Sequence, residues 1–348
     1  MNINDLNAVA EAMVAPGKGI LAADESTSSI GKRFAIIGLE NTEDNRRAYR
    51  QMLITSPGMG EYISGVIMYD ETIHQNTTDG ASFVKVLQNV GILPGIKVDQ
   101  GTIEMSGSPK EKVTAGLEGL PERLAGYAAL GAKFAKWRAV ITIGSTELTT
   151  GSELSIPTDA NLRQNARDLA RYAKNCQDAG IVPMVEPEVL MDGNNTMERC
   201  REVTEKVLTA VFEELRAIDV VINGIILKPN MVIPGKESGE KKSPDEVADA
   251  TLKVFNKTLP NELAGIAFLS GGQGDIEATE NLNAINRRGT HPWRVSFSYG
   301  RALQSAAMQA WHGNAANIAS AQKIFLHRAK MNALASLGKY TAEAEHSS

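Results

Sequence analysis

Cysteine, histidine and aromatic residues are scarce in this 348-residue sequence, and no long apolar run occurs; each shortage removes a class of protein. Two cysteines, Cys176 and Cys200, cannot build the disulfide framework of a small secreted domain and are expected to stay reduced. The histidines are His74, His291, His312, His327 and His346, and no two have zinc-ligand spacing, so no metal site and no metal cofactor is expected. No stretch approaches the ~20 apolar residues of a membrane span. The opening Met1-Asn-Ile-Asn-Asp-Leu6 has neither a basic region nor an apolar segment, so no signal peptide is expected. An excess of basic charge is also missing: 36 Lys and Arg face 41 Asp and Glu, net −5, which offers nucleic acid no general field. Any affinity for an anion must then come from a local cluster. There is no Walker A motif, and Gly272-x-Gly274 has Glu277 where a dinucleotide fingerprint places its third glycine. Neither an internal repeat nor a low-complexity tract is visible. The composition, 43% hydrophobic and 22% charged, is that of an ordinary soluble globular protein, cytosolic in expectation.

What is present is an alternation of short apolar runs with amphipathic segments, the pattern of a parallel sheet with crossover helices. Eight strands are expected: Gly19–Ala23, Ile63–Tyr69, Gly95–Val98, Trp137–Ile143, Ile181–Glu186, Val220–Lys228, Gly265–Ser270 and Arg294–Ser298. Between them run helical patterns such as Leu162, Ala166, Leu169, Ala173 and Cys176 at three- and four-residue steps. Eight such units fit a single-domain (β/α)8 barrel over residues 1–337, followed by a polar, mobile tail over 338–348; the rival is an open doubly wound sheet. Gly144 to Asp159, rich in Ser, Thr and Gly, reads as an exposed loop, and Pro234 to Pro244 as a second loop carrying Lys236, Lys241 and Lys242.

The strand ends are where charge collects. Val220–Leu227 stops at Lys228 because Pro229 cannot donate to a ladder and holds its predecessor extended. Lys228 is then either an ordinary strand-end lysine or an amine whose desolvation makes it a nucleophile for carbonyl carbon. Glu186 and Glu188, two apart, share a face if Pro187 leaves the strand regular; they suit a proton shuttle, or simply pair with Lys136 or Arg138. Asp24 either caps the next helix or acts as a base beside the lysine. Ser270-Gly271-Gly272 and Gly300-Arg301 close the last two strands, where barrels place phosphate, and Lys97 with Arg138 offers a second anion site; the alternative for each is a surface ion pair.

Taken together, these segments resemble the class I (Schiff-base) fructose-1,6-bisphosphate aldolases. The likeness is carried by Gly19-Ile-Leu-Ala-Ala-Asp-Glu-Ser26, Gly95-Ile-Lys-Val-Asp99, Ala135-Lys-Trp-Arg138, Val182-Pro-Met-Val-Glu-Pro-Glu188, Leu227-Lys-Pro-Asn-Met-Val232, Phe268-Leu-Ser-Gly-Gly-Gln273, Asn281-Leu-Asn-Ala-Ile-Asn286 and Ser298-Tyr-Gly-Arg-Ala-Leu-Gln304. The resemblance implies an imine between Lys228 and the substrate C2 carbonyl, and acid–base service by Glu186. It gives Asp24 to the C4 hydroxyl, Lys136 to the same region, and Glu188 to orienting Lys136. It also implies one phosphate on Ser270, Gly271, Gly272, Gly300 and Arg301, and the other phosphate and sugar hydroxyls on Ser26, Ser29, Arg33, Lys97 and Arg138. The partner would be a sugar bisphosphate, with no cofactor, nucleic acid or membrane, and the assembly a homotetramer in the cytoplasm or a plastid. The sequence departs from the family in the length of the Gly144–Asp159 loop, in Asn194-Asn195 after Asp192-Gly193, and in lacking a terminal tyrosine, Tyr340 being the last aromatic. A related lyase for a singly phosphorylated sugar, and a non-catalytic scaffold, are the alternative readings.

Overall fold

The eight expected strands are all present in the structure, a computed structural model that describes residues 3–147 and 153–346. They are β1 (Gly19–Ala23), β2 (Ile63–Met68), β3 (Leu93–Lys97), β4 (Phe134–Ile141), β5 (Val182–Val189), β6 (Ile226–Leu227), β7 (Gly265–Phe268) and β8 (Arg294–Tyr299). Each pairs in parallel with its chain neighbours, and β8 returns to β1 through Ile20↔Ser298 and Leu21↔Tyr299, closing a (β/α)8 barrel. The open-sheet alternative is thereby excluded. Both faces of every strand are covered, which is why the runs read as continuously apolar rather than alternating.

The core has two parts. Inside the barrel, Ile20, Ile67, Phe134, Val182, Met184, Ile226 and Ala267 form one apolar cluster with Leu6, Ala10, Met13 and Val14 from the N-terminal helix Ile3–Met13 and its end. That helix therefore stops the amino-terminal mouth of the barrel. The Phe134 ring takes its space from two neighbouring strands: a Cβ built on Gly95 would lie 2.2 Å from it, and one on Gly65 3.0 Å. The larger cluster lies between the strands and the surrounding helices, with Trp137 stacked on Tyr172 and Phe255 on Phe268. The helices begin on side-chain caps, Ser26, Thr158, Thr196 and Ser243 each accepting from the backbone N–H three residues on. Both cysteines are buried and free. Among the described residues no helix is long and apolar enough to cross a membrane.

Three expectations change. The sixth strand, expected over Val220–Lys228, is reduced to Ile226–Leu227, because Ile222–Gly224 winds into a 3-10 turn and Pro229 ends the ladder. The shortening lets β5 keep its two prolines. Lys228 N donates to Val185 O at 2.8 Å, so odd-numbered residues of β5 face β6; the ladder there reaches only Met184 and Val185, and Pro183 and Pro187 owe it no donor. β5 stays in register with β4 from Phe134↔Val182 to Ile141↔Val189, and beyond β6 the Asn230 side chain takes its place, accepting from Val189 N at 3.0 Å. The second change is in the Gly144–Asp159 loop. It carries a two-stranded hairpin, Gly144–Glu147 with Glu153–Ile156, while residues 148–152 lie outside the described residues. A further hairpin, Thr102–Met105 with Ser108–Thr114, follows β3 and went unread in the sequence. Third, the segment expected as a polar tail is folded onto the helical shell as far as His346. Tyr340 is buried, and Glu345 accepts from Arg328 Nη1 at 2.5 and 2.6 Å and from Tyr340 Oη at 3.0 Å; Ser347 and Ser348 lie outside the described residues.

Candidate active site

The carboxyl ends of the strands open into a cleft of about 1450 Å³. Its floor is a chain of four buried charged groups drawn from four strands. Lys228 follows β6, Glu186 sits in β5, Lys136 in β4, and Asp24 follows β1. Lys228 Nζ lies 3.2 Å from Glu186 Oε1; Lys136 Nζ lies 3.2 Å from Glu186 Oε2 and 2.7 Å from Asp24 Oδ2. Charges alternate along the row, and Glu186 stands between the two amines. Burial alone would lower the Lys136 pKa, but Asp24, Glu186 and Asp99 outweigh it and hold the amine well above the ordinary lysine value. Burial alone would raise the Asp24 pKa, and Lys136, Lys228 and Lys97 reverse that, keeping it well below the usual carboxylate range. Glu186 Oε2 is buried and takes no aligned hydrogen bond despite its nearness to Lys136. One buried acceptor at the centre of the site is thus held by charge and not by an aligned donor.

Around this row the cleft is lined by Ser26, Ser29, Arg33, Lys97, Arg138, Glu188, Ser270, Gly271, Ser298, Gly300 and Arg301. The barrel therefore brings together every residue singled out from the sequence except Gly272, which stands just behind its neighbour Gly271 in the same turn. Gly271 and Gly272 both have left-handed backbone, φ +59° and +87°, so the turn needs glycine in succession to present its amides. Gln273 fixes that turn: its side-chain amide donates to Ser270 O at 3.0 Å and accepts from Asn281 at 2.7 Å. Ser26 caps the helix Thr27–Ile36 by accepting from Ser29 N at 3.3 Å, which leaves Asp24 free of the capping role considered for it.

Glu188 departs from expectation. It does not reach Lys136 but pairs with Arg138, to which it is bonded through Nε; Lys136 is oriented by Asp24 and Glu186 instead. The reason is register: residues 136, 138, 186 and 188 all face inward, and Arg138 stands opposite Glu186 on the neighbouring strand, with Glu188 one step higher. Glu188 acts on Arg138 against burial, so that the guanidinium is held above its ordinary pKa.

Some groups went unassigned in the sequence. Glu25 lines the cleft, bonds Arg33 through one carboxylate oxygen and forms an ion pair at 2.8 Å with the buried Arg50 through the other, while Arg50 Nη2 donates to the Glu25 backbone O at 3.1 Å. Asp99 holds Lys97 at 2.5 Å. Glu25 and Asp99 could have been found, since both close strands beside assigned residues. Arg50 lies in the helix Glu43–Ile54 with the buried Leu53 and Ile54 three and four residues on, and its charge concealed that it shares their face. Among the described residues no group of three or more His, Cys, Asp or Glu is placed to hold a metal ion.

The comparisons agree with this geometry. The family model described as fructose-bisphosphate aldolase class-I matches residues 5–348. A probable fructose-bisphosphate aldolase class 1 of Xanthomonas campestris is 52% identical, covering 98% of this chain and 99% of its own. A fructose-bisphosphate aldolase of Dictyostelium discoideum is 50% identical, with coverages of 98% and 94%. Among solved structures, fructose-bisphosphate aldolase from Plasmodium falciparum, crystallised with TRAP and a small-molecule inhibitor, superposes with a TM-score of 0.93 at 46% identity, covering 97% of this chain and 96% of that one. A barrel of this order, a lysine pair bridged by one glutamate, and matches along almost the whole chain meet in one conclusion: the chain belongs to the class-I fructose-bisphosphate aldolase family.

Proposed function

We propose that this chain cleaves fructose 1,6-bisphosphate reversibly to dihydroxyacetone phosphate and glyceraldehyde 3-phosphate through an imine on Lys228. The observation that supports it is the row Lys228–Glu186–Lys136–Asp24 on the floor of a cleft with cationic groups at its edges. Glu186, 3.2 Å from Lys228, takes the proton that the ammonium sheds, the free amine adds to the C2 carbonyl to give a carbinolamine, and Glu186 returns that proton as hydroxide leaves as water. The protonated imine is an electron sink. As the C3–C4 bond breaks, its electron pair moves onto C3 and the imine nitrogen, and Asp24, held ionised, takes the C4 hydroxyl proton so that the aldehyde departs. The resulting enamine is protonated at C3 and the imine is hydrolysed, returning the free amine. Lys136 stays charged throughout and fixes the developing oxyanion.

Ser270, Gly271, Gly272, Gly300 and Arg301 suit the phosphate on the dihydroxyacetone side, where backbone amides and a helix start converge. Ser26, Ser29, Arg33, Lys97 and Arg138, across the cleft, suit the other phosphate and the hydroxyls. Glu188 belongs to this set through Arg138. The setting is the cytosol and the assembly a homo-oligomer, both carried from the resemblance.

The deciding experiment is borohydride reduction of the protein with dihydroxyacetone phosphate in EDTA, followed by peptide mass mapping. A reduced adduct on Lys228 is expected. An adduct on another lysine would keep the chemistry and overturn the site, and folded protein without an adduct would overturn the mechanism.

A further inference from the structure

Lys236 lies in the loop after β6 that the sequence marks only as basic. Its backbone is pinned. Lys236 N donates to Met191 O at 2.8 Å, Gly235 N to Asn195 O at 2.8 Å and Glu237 N to Gly193 O at 2.9 Å, so this loop zips along the one that follows β5. Gly235 permits the approach, since a Cβ there would come within 2.3 Å of Gly193 O. The amine is aimed at the Gly272 turn. A Cβ built on Gly272 would lie 2.7 Å from Lys236 Nζ and 3.1 Å from Arg301 Nη2, so an ammonium and a guanidinium face the same point beside the glycine. Asp192 answers Lys236 at 3.7 Å with a side chain 70% exposed, and among the described residues no carboxylate bridges Lys236 to Arg301. Two cations that converge without a shared counter-charge repel each other unless an anion joins them.

We propose that Lys236 is a second cation of the phosphate site formed by Ser270–Gly272 and Gly300–Arg301. It is a binding residue: it does not line the cleft, and it acts by charge from behind the Gly272 turn. The inference rests on the reading of that turn as a phosphate site. Lysine suits the place because its long stem carries a compact charge up to the turn without the planar geometry that Arg301 supplies. Its effect falls on ground state and transition state alike, since the phosphate does not react, and so appears in KM and not in kcat.

The test is steady-state cleavage of fructose 1,6-bisphosphate, with inorganic phosphate as competitive probe, in Lys236→Met, Lys236→Arg, Asp192→Asn and Arg301→Ala proteins. For Lys236→Met, KM and the phosphate inhibition constant should each rise about three- to tenfold at low salt, with kcat unchanged and the difference shrinking as potassium chloride is added. Lys236→Arg should restore both constants, and Asp192→Asn, which frees the amine, should not raise either. Wild-type constants in Lys236→Met beside raised ones in Arg301→Ala would overturn the role of Lys236 while leaving the phosphate site in place. A loss in Lys236→Met that neither salt nor arginine relieves would make the residue structural and overturn the proposal equally. If Arg301→Ala also left both constants unchanged, the underlying reading of the turn would fall with it.

Discussion

Glu186 is the residue on which the site turns, because both of its oxygens face lysine amines and one of them, Oε2, has no aligned donor. Replacing it by glutamine keeps the shape and removes the charge, leaving Lys136 with Asp24 and Lys228 with no carboxylate at 3.2 Å. Proton delivery to the carbinolamine is lost with it. Glu186→Gln is expected to lower kcat by about 10²–10⁴ while the circular dichroism spectrum remains that of wild type. The trapping reaction should separate the steps: adduct on Lys228 accumulates slowly in this variant and is absent from Lys228→Ala. Rapid adduct formation with slow turnover would instead place Glu186 after the imine. Lys136 answers differently. It holds Asp24 below the usual carboxylate range, so Lys136→Met leaves a buried carboxylate without its partner at 2.7 Å. That change should destabilise the fold by about 3–5 kcal/mol, measured by urea unfolding at pH 7, as well as abolishing cleavage.

At the scale of elements, the barrel is filled by exchanging side chains between strands, and glycine marks where one strand yields to another. Phe134 on β4 lies where a Cβ on Gly95 of β3 would fall, 2.2 Å from the ring. Gly95→Ala is therefore expected to cost about 1–3 kcal/mol by overpacking, measured by urea unfolding. Gly126 is the control: it lies inside the helix Leu120–Leu130 with nothing within 4 Å of an added Cβ. Gly126→Ala should stabilise by about 0.4–1 kcal/mol. A stabilised Gly95→Ala would show that the barrel interior gives way more easily than its packing implies. The same scale shows what the sequence could carry. Period and composition placed all eight strands, because buried parallel strands are runs of apolar residues bounded by charge. The residues at their ends converged because a closed barrel leaves them one face to share. Hydrogen-bond geometry was not legible. Which cation Glu188 would reach, Lys136 or Arg138, was left open by the residues and depended on strand register; Arg138 is its partner, not the Lys136 that the resemblance implied. The shrinking of β6 to two residues depended on a 3-10 turn at Ile222–Gly224 that β-branched composition conceals. The hairpins after β3 and β4 escaped because short strands rich in Ser, Thr, Glu and Lys carry little apolar signal.

Over the whole molecule, one end of the barrel is stopped by the helix Ile3–Met13, the other holds the cleft, and the C-terminal segment ties the helical shell between them. Arg328, in the helix Ile318–Ser336, carries the tie. Its Nη1 bonds both oxygens of Glu345, and its Nη2 donates to Asp275 O at 3.1 Å and Thr279 Oγ1 at 2.5 Å in the first turns of the helix Asp275–Asn286. That helix begins directly after the Ser270–Gly272 turn, so the segment's carboxylate braces an element that leads out of the phosphate site. Burial acts to raise the Glu345 pKa, and the hydrogen bond and charge of Arg328, with Tyr340 and His327, outweigh it and hold it below the ordinary value of 4.5. A carboxylate depressed on folding adds stability above its unfolded pKa and loses it as the pH falls through the folded one. Glu345→Gln is thus expected to cost about 2 kcal/mol at pH 7 by leaving a buried guanidinium without its partner, and the gap from wild type should narrow as the pH falls below 4.5. Paired urea titrations from pH 7 downward measure it. A gap constant across that range would mean that the segment is held by the burial of Tyr340 and not by charge, and the cost of the substitution would then track the apolar surface of the segment alone.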